Sequence, residues 1–430
     1  MKKPLQRRVK KTRLGLRGTH SVLLRSFNVS TVNLAMASFA YLFERFPSFG
    51  QTFCYREVAE LYRQGVAAPI FSIRNPKDEP AQDWDARIVR RVHYLPDEKE
   101  LLDDVRRASK KGRLPPEIVA ALDEWGRRTD FLRLYQAVHV GLRLQEAGIG
   151  HVHAHFAGMA ARTAFWIAKF FPITFSFTAH ANDIFAPSKF EIGLDKMVGA
   201  ARVVVTETDY AEKFLRKRFP ERADRLHRVY NGLNLAEFGR ATFSSDPPSI
   251  VAIGRLIVKK GFSSLIRACA LLVERGRSFQ CDIFGEGPLE NRLRAQIEEL
   301  ALQKCIQLAG PKPQHELRAH LASASAFVLP SVPEPDGGMD NLPTVIMEAM
   351  ATGLPVVSTR IGGIPEMVID NQTGFLVQAE DTVALAGAIE KVTNDHSLGQ
   401  RLGQAGYERS QKLFSIEKNV RELCALLPSG

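Results

Sequence analysis

Residues 331–366 read SVPEPDGGMDNLPTVIMEAMATGLPVVSTRIGGIPE, and this stretch decides the fold class. It opens with a loop dense in acids and glycine, 334–341. Pro343 stands where a first helical turn begins, with Asp340 and Asn341 as capping residues just upstream. Residues 344–352 read as a buried helix. Val345, Ile346, Met347, Ala349, Met350 and Ala351 are apolar, and Glu348 is its only charge. Gly353 stops this helix, and 356–358 (Val-Val-Ser) reads as a buried parallel strand. Gly362 and Gly363 then lead into a second helix start at Ile364-Pro365-Glu366. A carboxylate on an apolar helix, behind a glycine-rich loop, needs partners that the helix itself does not supply.

Working outward, the same strand–helix alternation fills the chain. Strands are expected at 249–253, 279–284, 306–308, 326–330 and 375–377, with helices at 262–274, 289–300 and 315–323 between them and a helical end at 381–427. Upstream, strands are expected at 39–43, 69–73, within 150–156, 173–178 and 202–206, and helices at 53–63, 132–147, 160–170 and 209–218. Repeated units of this kind imply parallel sheets with helices on both faces. Residues 77–130 are charged and helix-rich and read as a solvated insertion or cap. At 430 residues the chain is too long for one ordinary core. The polar, proline-ended run GRATFSSDPP, 239–248, divides it. The expected organisation is a basic, disordered tail at 1–35, an acceptor-side domain at 36–238, the linker, a second domain at 249–404, and a C-terminal helix at 405–430 packing back on the first domain.

The formal net charge is +11. Residues 1–35 hold nine Lys or Arg and no acid, so subtracting nine leaves +2 for the rest. The basic excess belongs to the tail. A contact with an anionic membrane surface is one reading of it, and a plain disordered tail or a translation start at Met36 is the other. A near-neutral body without interleaved aromatic and basic residues speaks against nucleic acid as a partner. The five cysteines (Cys54, Cys269, Cys281, Cys305, Cys424) are scattered without a C-x-x-C, which suits reduced thiols and a cytoplasmic location. No run reaches the roughly 18 apolar residues of a membrane-spanning helix, so any membrane association is expected to be peripheral.

Two doubly wound domains joined by a linker make a cleft between their strand ends. Arg255 and Lys260 follow the first strand of the second domain, and Gly285 and Gly287 follow its second. With the helix that starts at Pro343, they suit a diphosphate. Glu348 could accept from ribose hydroxyls, or it could sit in a buried salt bridge. In the first domain, His151, His153 and His155 share one strand face. A zinc site is one reading. A strand with one or two histidines facing a cleft is favoured, because catalytic zinc usually draws ligands from more than one element. His180 and Asp183 follow a strand end, where open α/β sheets bind ligands. Neither G-x-x-x-x-G-K-[ST] nor G-x-S-x-G occurs, which excludes the usual P-loop enzymes and serine hydrolases.

Taken in order, RFPSFGQTF (45–53), HVHAHF (151–156), FTAHANDIF (177–185), NGLNLAEF (231–238), GRLIVKKG (254–261), FGEGP (284–288) and MDNLPTVIMEAMATGLPVVSTRIGGIPEMV (339–368) make the chain resemble the family 4 retaining glycosyltransferases. The match runs over about 40–427 and is nearest the bacterial group that assembles exopolysaccharide and colanic-acid-like repeat units. The resemblance implies the GT-B fold: two Rossmann-like doubly wound parallel-sheet domains facing a cleft. It implies a UDP- or GDP-sugar as co-substrate, a glycan or lipid-linked acceptor, and neither cofactor nor metal. It makes Arg255 and Lys260 the holders of the donor diphosphate, Glu348 the ribose partner, and Gly50, Gly285, Gly287, Leu342 and Thr344 the remaining donor contacts. His180 and Asp340 become the catalytic pair beside the transferred sugar, with His155 and Asp183 on the acceptor side. Two positions depart from the family pattern. Asp340 replaces the first Glu of E-x7-E, and Gln51 stands where near relatives carry Glu. A GT-B epimerase or phosphorylase, or a non-catalytic sugar-nucleotide binder, is the alternative.

Overall fold

The structure, a computed structural model, describes residues 35–80, 82–186, 190–243 and 246–428. All of these belong to one compact unit, 34–430. The basic tail, but for Ala35, lies outside the described residues.

Two parallel sheets organise the chain. The first uses β1 (Phe39–Arg45), β2 (Ile70–Arg74), β3 (Val92–Tyr94), β4 (His151–His155), β5 (Thr174–Ala179), β6 (Val203–Thr206) and β7 (Leu226–Arg228), in the spatial order β3-β2-β1-β4-β5-β6-β7. The second uses β8 (Ser249–Ile253), β9 (Gln280–Phe284), β10 (Ile306–Gly310), β11 (Ala326–Leu329), β12 (Val356–Thr359) and β13 (Gly374–Val377), in the order β10-β9-β8-β11-β12-β13. Both sheets reverse winding beside their first strand. Leu42 of β1 pairs with Ala154 of β4, and Ile250 of β8 pairs with Ala326 of β11. These are the switch points at which doubly wound sheets open a crevice at their carboxyl ends. The fold is GT-B.

The strands read as near-continuous apolar runs because both faces are covered. β8 and β11 are buried almost throughout, and helix Thr344–Thr352 is buried from Ile346 to Thr352. Gly353 ends that helix at φ 81, as expected of a C-terminal glycine.

Residues 77–130 are not an insertion. β3 forms the edge of the first sheet, and helices Glu98–Lys110 and Pro116–Trp125 bury Leu101, Val105, Ile118 and Leu122. Their charges line the outer face of amphipathic helices, so composition alone hides the buried stripe.

The chain crosses between the sheets twice, at 231–238 and at 413–416. The crossings hold each other: Leu233 N–H donates to the Phe414 carbonyl (2.8 Å) and Ile416 N–H to the Leu233 carbonyl (3.0 Å). A Cβ on Gly232 would lie 2.3 Å from the Ile416 Cα, so the approach requires glycine. The C-terminal region is two helices rather than the one read over 405–430. His396–Leu413 stays with the second sheet, whose core includes Leu402 and Phe414. Ile416–Leu426 packs Ile416, Val420 and Leu423 against Tyr41, Val203 and Val205 of the first.

Candidate functional site

The two switch points face one another across a cavity of about 1010 Å³. Of the residues singled out in the sequence, Gly50, His180, Arg255, Lys260, Gly285, Gly287, Asp340, Leu342, Thr344 and Glu348 line it. His155 and Asp183 do not. The Asp183 carboxylate accepts from the backbone N–H groups of Ala157 and His180, both at 2.9 Å, and forms the acid of a capping box on helix Ala181–Phe185. His155 is 1% exposed behind the wall.

On the second sheet's side, Lys260 spans both oxygens of Asp340 at 2.8 and 2.9 Å, and Ser331 Oγ donates to the same carboxylate at 2.7 Å. Asp340 therefore does not cap the helix, nor does Asn341, whose amide oxygen accepts from Thr208 at 2.7 Å. Helix Thr344–Thr352 begins at Pro343 with no side-chain cap. Its first N–H groups and the positive end of its dipole remain directed at the cavity. Arg255 is exposed beside them. Its loop is seated by the glycine turn that follows β9. Gly285, at φ 141, would put a Cβ 1.9 Å from the Gly254 carbonyl oxygen, and Leu256 N–H donates to the Glu286 carbonyl at 2.8 Å. These glycines thus have a packing reason of their own. Gly50 has none: a Cβ there would meet nothing within 4 Å.

On the first sheet's side, four titratable groups form a buried chain ending at the cavity. Glu57 Oε1 lies 3.0 Å from His155 Nε2 and also accepts from Tyr41 Oη at 2.7 Å. His155 Nδ1 lies 3.4 Å from His180 Nε2, and His180 Nδ1 lies 2.9 Å from Glu207 Oε1. Carboxylates accept, so His155 donates through Nε2 and His180 through Nδ1. His155 Nδ1 and His180 Nε2 are left facing one another, so a second proton on His180 would make it an imidazolium. Burial works against that charge, but the Glu207 charge and hydrogen bond outweigh it and raise the His180 pKa above its ordinary value. His151 and His153 do not converge on one ion as the zinc reading requires. His151 bonds Thr174 and Ser176, and His153 bonds Ser176 and Thr178. Glu57, His153 and His155 do bring ligand atoms within 4.8 Å of one another, but His153 is bonded to Ser176 and Thr178 and His155 to Glu57.

Sequence reasoning missed three residues. Glu207 follows β6, at the same strand-end position that singled out His180. Lys259 is 5% exposed and donates to Asn182 Oδ1 at 2.7 Å. Burial is the main cause lowering its ammonium pKa. Arg56, in helix Thr52–Arg63, donates to Glu348 Oε1 across the cleft at 2.7 Å. Glu348 thus occupies the buried salt bridge that was one of its two readings. Among the described residues no helix is long and apolar enough to cross a membrane.

Residues 236–409 match the family profile described as glycosyl transferases group 1. The colanic acid biosynthesis glycosyltransferase WcaL of Escherichia coli is 46% identical over 176 residues, which is 41% of this chain and 40% of WcaL. The amylovoran biosynthesis glycosyltransferase AmsK of Erwinia amylovora is 41% identical over 181 residues, 42% of this chain and 44% of AmsK. The chain thus spans less than half the length of these curated relatives. Among solved structures, a glycosyltransferase of Rickettsia africae superposes with a TM-score of 0.68 at 18% identity, covering 90% of this chain and 97% of that one. Anabaena HepE in complex with UDP and glucose gives 0.67 at 16% identity, covering 90% and 98%. The stretch that carries Lys260, Asp340 and Glu348 thus matches the group 1 glycosyl transferases, and the two-sheet frame around it shares the fold of the solved glycosyltransferases.

Proposed function

We propose that the protein is a retaining glycosyltransferase, moving a sugar from a UDP- or GDP-sugar to a glycan or lipid-linked acceptor in the assembly of a bacterial exopolysaccharide. The observation that carries this reading is the convergence of Arg255, Lys260 and an uncapped helix N-terminus on one cavity at two facing switch points. Such an arrangement suits a diphosphate. HepE, a structural relative in complex with UDP and glucose, supports a sugar-nucleotide donor. The names of WcaL and AmsK support the polysaccharide setting. Glu348 is proposed to accept from the ribose. Asp340 would meet the sugar hydroxyls, with His180 opposite. Arg255, Lys260 and the helix end would stabilise the charge that builds on the departing diphosphate, and neither metal nor cofactor is assigned a part. The tail at 1–35 would meet an anionic membrane surface on the cytoplasmic face.

Asp340 is held by Lys260 and Ser331, and Glu348 by Arg56, so neither is free as a covalent nucleophile. The acceptor oxygen therefore bonds the anomeric carbon on the face from which the diphosphate leaves, and its proton passes to the leaving group. A panel of UDP- and GDP-sugars screened by calorimetry identifies the donor, and NMR of the product reads its anomeric configuration. Retention is expected; an inverted product rejects the pathway. Gly50→Leu is expected to abolish donor binding in the same assay while the unfolding free energy moves by no more than about 0.5 kcal/mol, since the position is exposed and uncrowded. Unchanged donor affinity would remove this loop from the site.

A further inference from the structure

Arg56 and Glu348 come from opposite sides of the cleft. Arg56 Nη2 donates to Glu348 Oε1 at 2.7 Å and to Gln314 Oε1 at 2.6 Å. The Glu348 side chain is only 2% exposed beneath it, and that of Arg56 is 15% exposed. Its neighbours along helix Thr344–Thr352, Ile346, Met347 and Ala349, are fully buried and apolar and supply it no partner. Arg56 is the only cation paired with Glu348 among the described residues. Its other terminal nitrogen, Nη1, is buried without a partner. A buried pair is strong only when its remaining donors are also satisfied, so this contact is separable.

We propose that Arg56 is a latch on the donor site: it holds Glu348 when no nucleotide is bound, and the ribose of an incoming nucleoside diphosphate must displace it. This rests on the reading of Glu348 as the ribose partner. A ribose diol needs the carboxylate within hydrogen-bond reach, and the space over Oε1 is the space the guanidinium fills. Because Arg56 rides on helix Thr52–Arg63 of the first sheet and Glu348 on the second, releasing the pair also releases a tie between the two sheets. Nucleotide binding and separation of the cleft walls are thereby linked. The apparent affinity is lowered by the fraction of molecules in which the latch is shut.

The test is calorimetric titration of the full chain with UDP and with GDP, comparing wild type, Arg56→Met and Glu348→Gln. Arg56→Met is expected to tighten binding of whichever nucleotide the wild type takes by about 5-fold or more, the scale of an ordinary coupling between sites. A dissociation constant equal to or weaker than wild type overturns the latch. Glu348→Gln separates the two readings. If adding Glu348→Gln to Arg56→Met leaves affinity unchanged, the ribose assignment itself fails. If it weakens binding while Arg56→Met does not tighten it, the latch alone fails. Should Arg56→Met not fold, Arg56→Lys is read the same way. It replaces the planar fork with a strongly hydrated point charge that pairs less well when buried.

Discussion

Lys260→Met is expected to lower kcat by about 10²–10³, the usual loss when one preorganised donor to a developing anion is removed. It is also expected to destabilise the fold. Lys260 and Asp340 are 13% and 8% exposed, and both carboxylate oxygens rest on the one ammonium. Removing the cation leaves a buried charge with Ser331 as its remaining side-chain donor, a change that costs about 3–5 kcal/mol. The two effects separate in the double variant Lys260→Met/Asp340→Asn. Neutralising the orphaned carboxylate restores much of the stability, because no charge is left buried. It does not restore transfer, because Arg255 is then the one cation of the pair left to face the diphosphate. Urea unfolding and initial rates with the identified donor measure both on the same samples. If the double variant recovers rate along with stability, Lys260 is only a structural counter-ion and its place beside the leaving group is lost.

The frame of this site was legible in the sequence because it depends on local spacing. Helix 344–352, its Gly353 stop and the strand that follows were read at or within a residue of their observed bounds, since burial, helix-ending chemistry and strand length are written in adjacent residues. What could not be read is which side chains meet across the cleft. Asp340 and Asn341 look like caps of the helix beside them, yet Lys260 and Thr208, 80 and 133 residues away, take them instead. Arg56 shows in sequence only as one charge on an amphipathic helix, and nothing local tells that it reaches Glu348. Residues 77–130 failed for a different reason. Their outer faces are so charged that composition concealed the leucines and isoleucine they bury. The expectation for Asp183 came from strand-end position, which places a backbone but not the direction of a side chain, and that for His155 from a strand face that is in fact buried.

The buried histidines make the fold acid-labile, and His151 isolates the effect. Burial first, then the charge of Arg202, lowers its pKa from 6.5 to about 4. Burial also lowers His139 to about 4, helped by Arg143 and opposed by Asp104. Between these values and 6.5 the unfolded chain binds a proton that the folded chain refuses, so stability falls as pH drops through that window. Each is worth on the order of 3 kcal/mol over the whole window. His180 has the opposite sign. Despite burial, Glu207 holds its pKa above the ordinary value, so its contribution is complete below about pH 6.5 and is lost as pH rises through the folded value. Urea unfolding of wild type and His151→Asn at about pH 7.5 and about pH 5 tests the assignment. The variant is expected to be less stable at the higher pH, having lost the bond to Ser176 or Thr174. It is also expected to lose about 2 kcal/mol less than wild type on acidification, because the proton-accepting group is gone. Reading the pH difference rather than the absolute stability removes the cost of the lost hydrogen bond from the comparison. If the two proteins lose the same amount, His151 is not a source of the acid sensitivity, and the ladder of His151, Ser176 and His153 tolerates the proton that burial is here held to exclude.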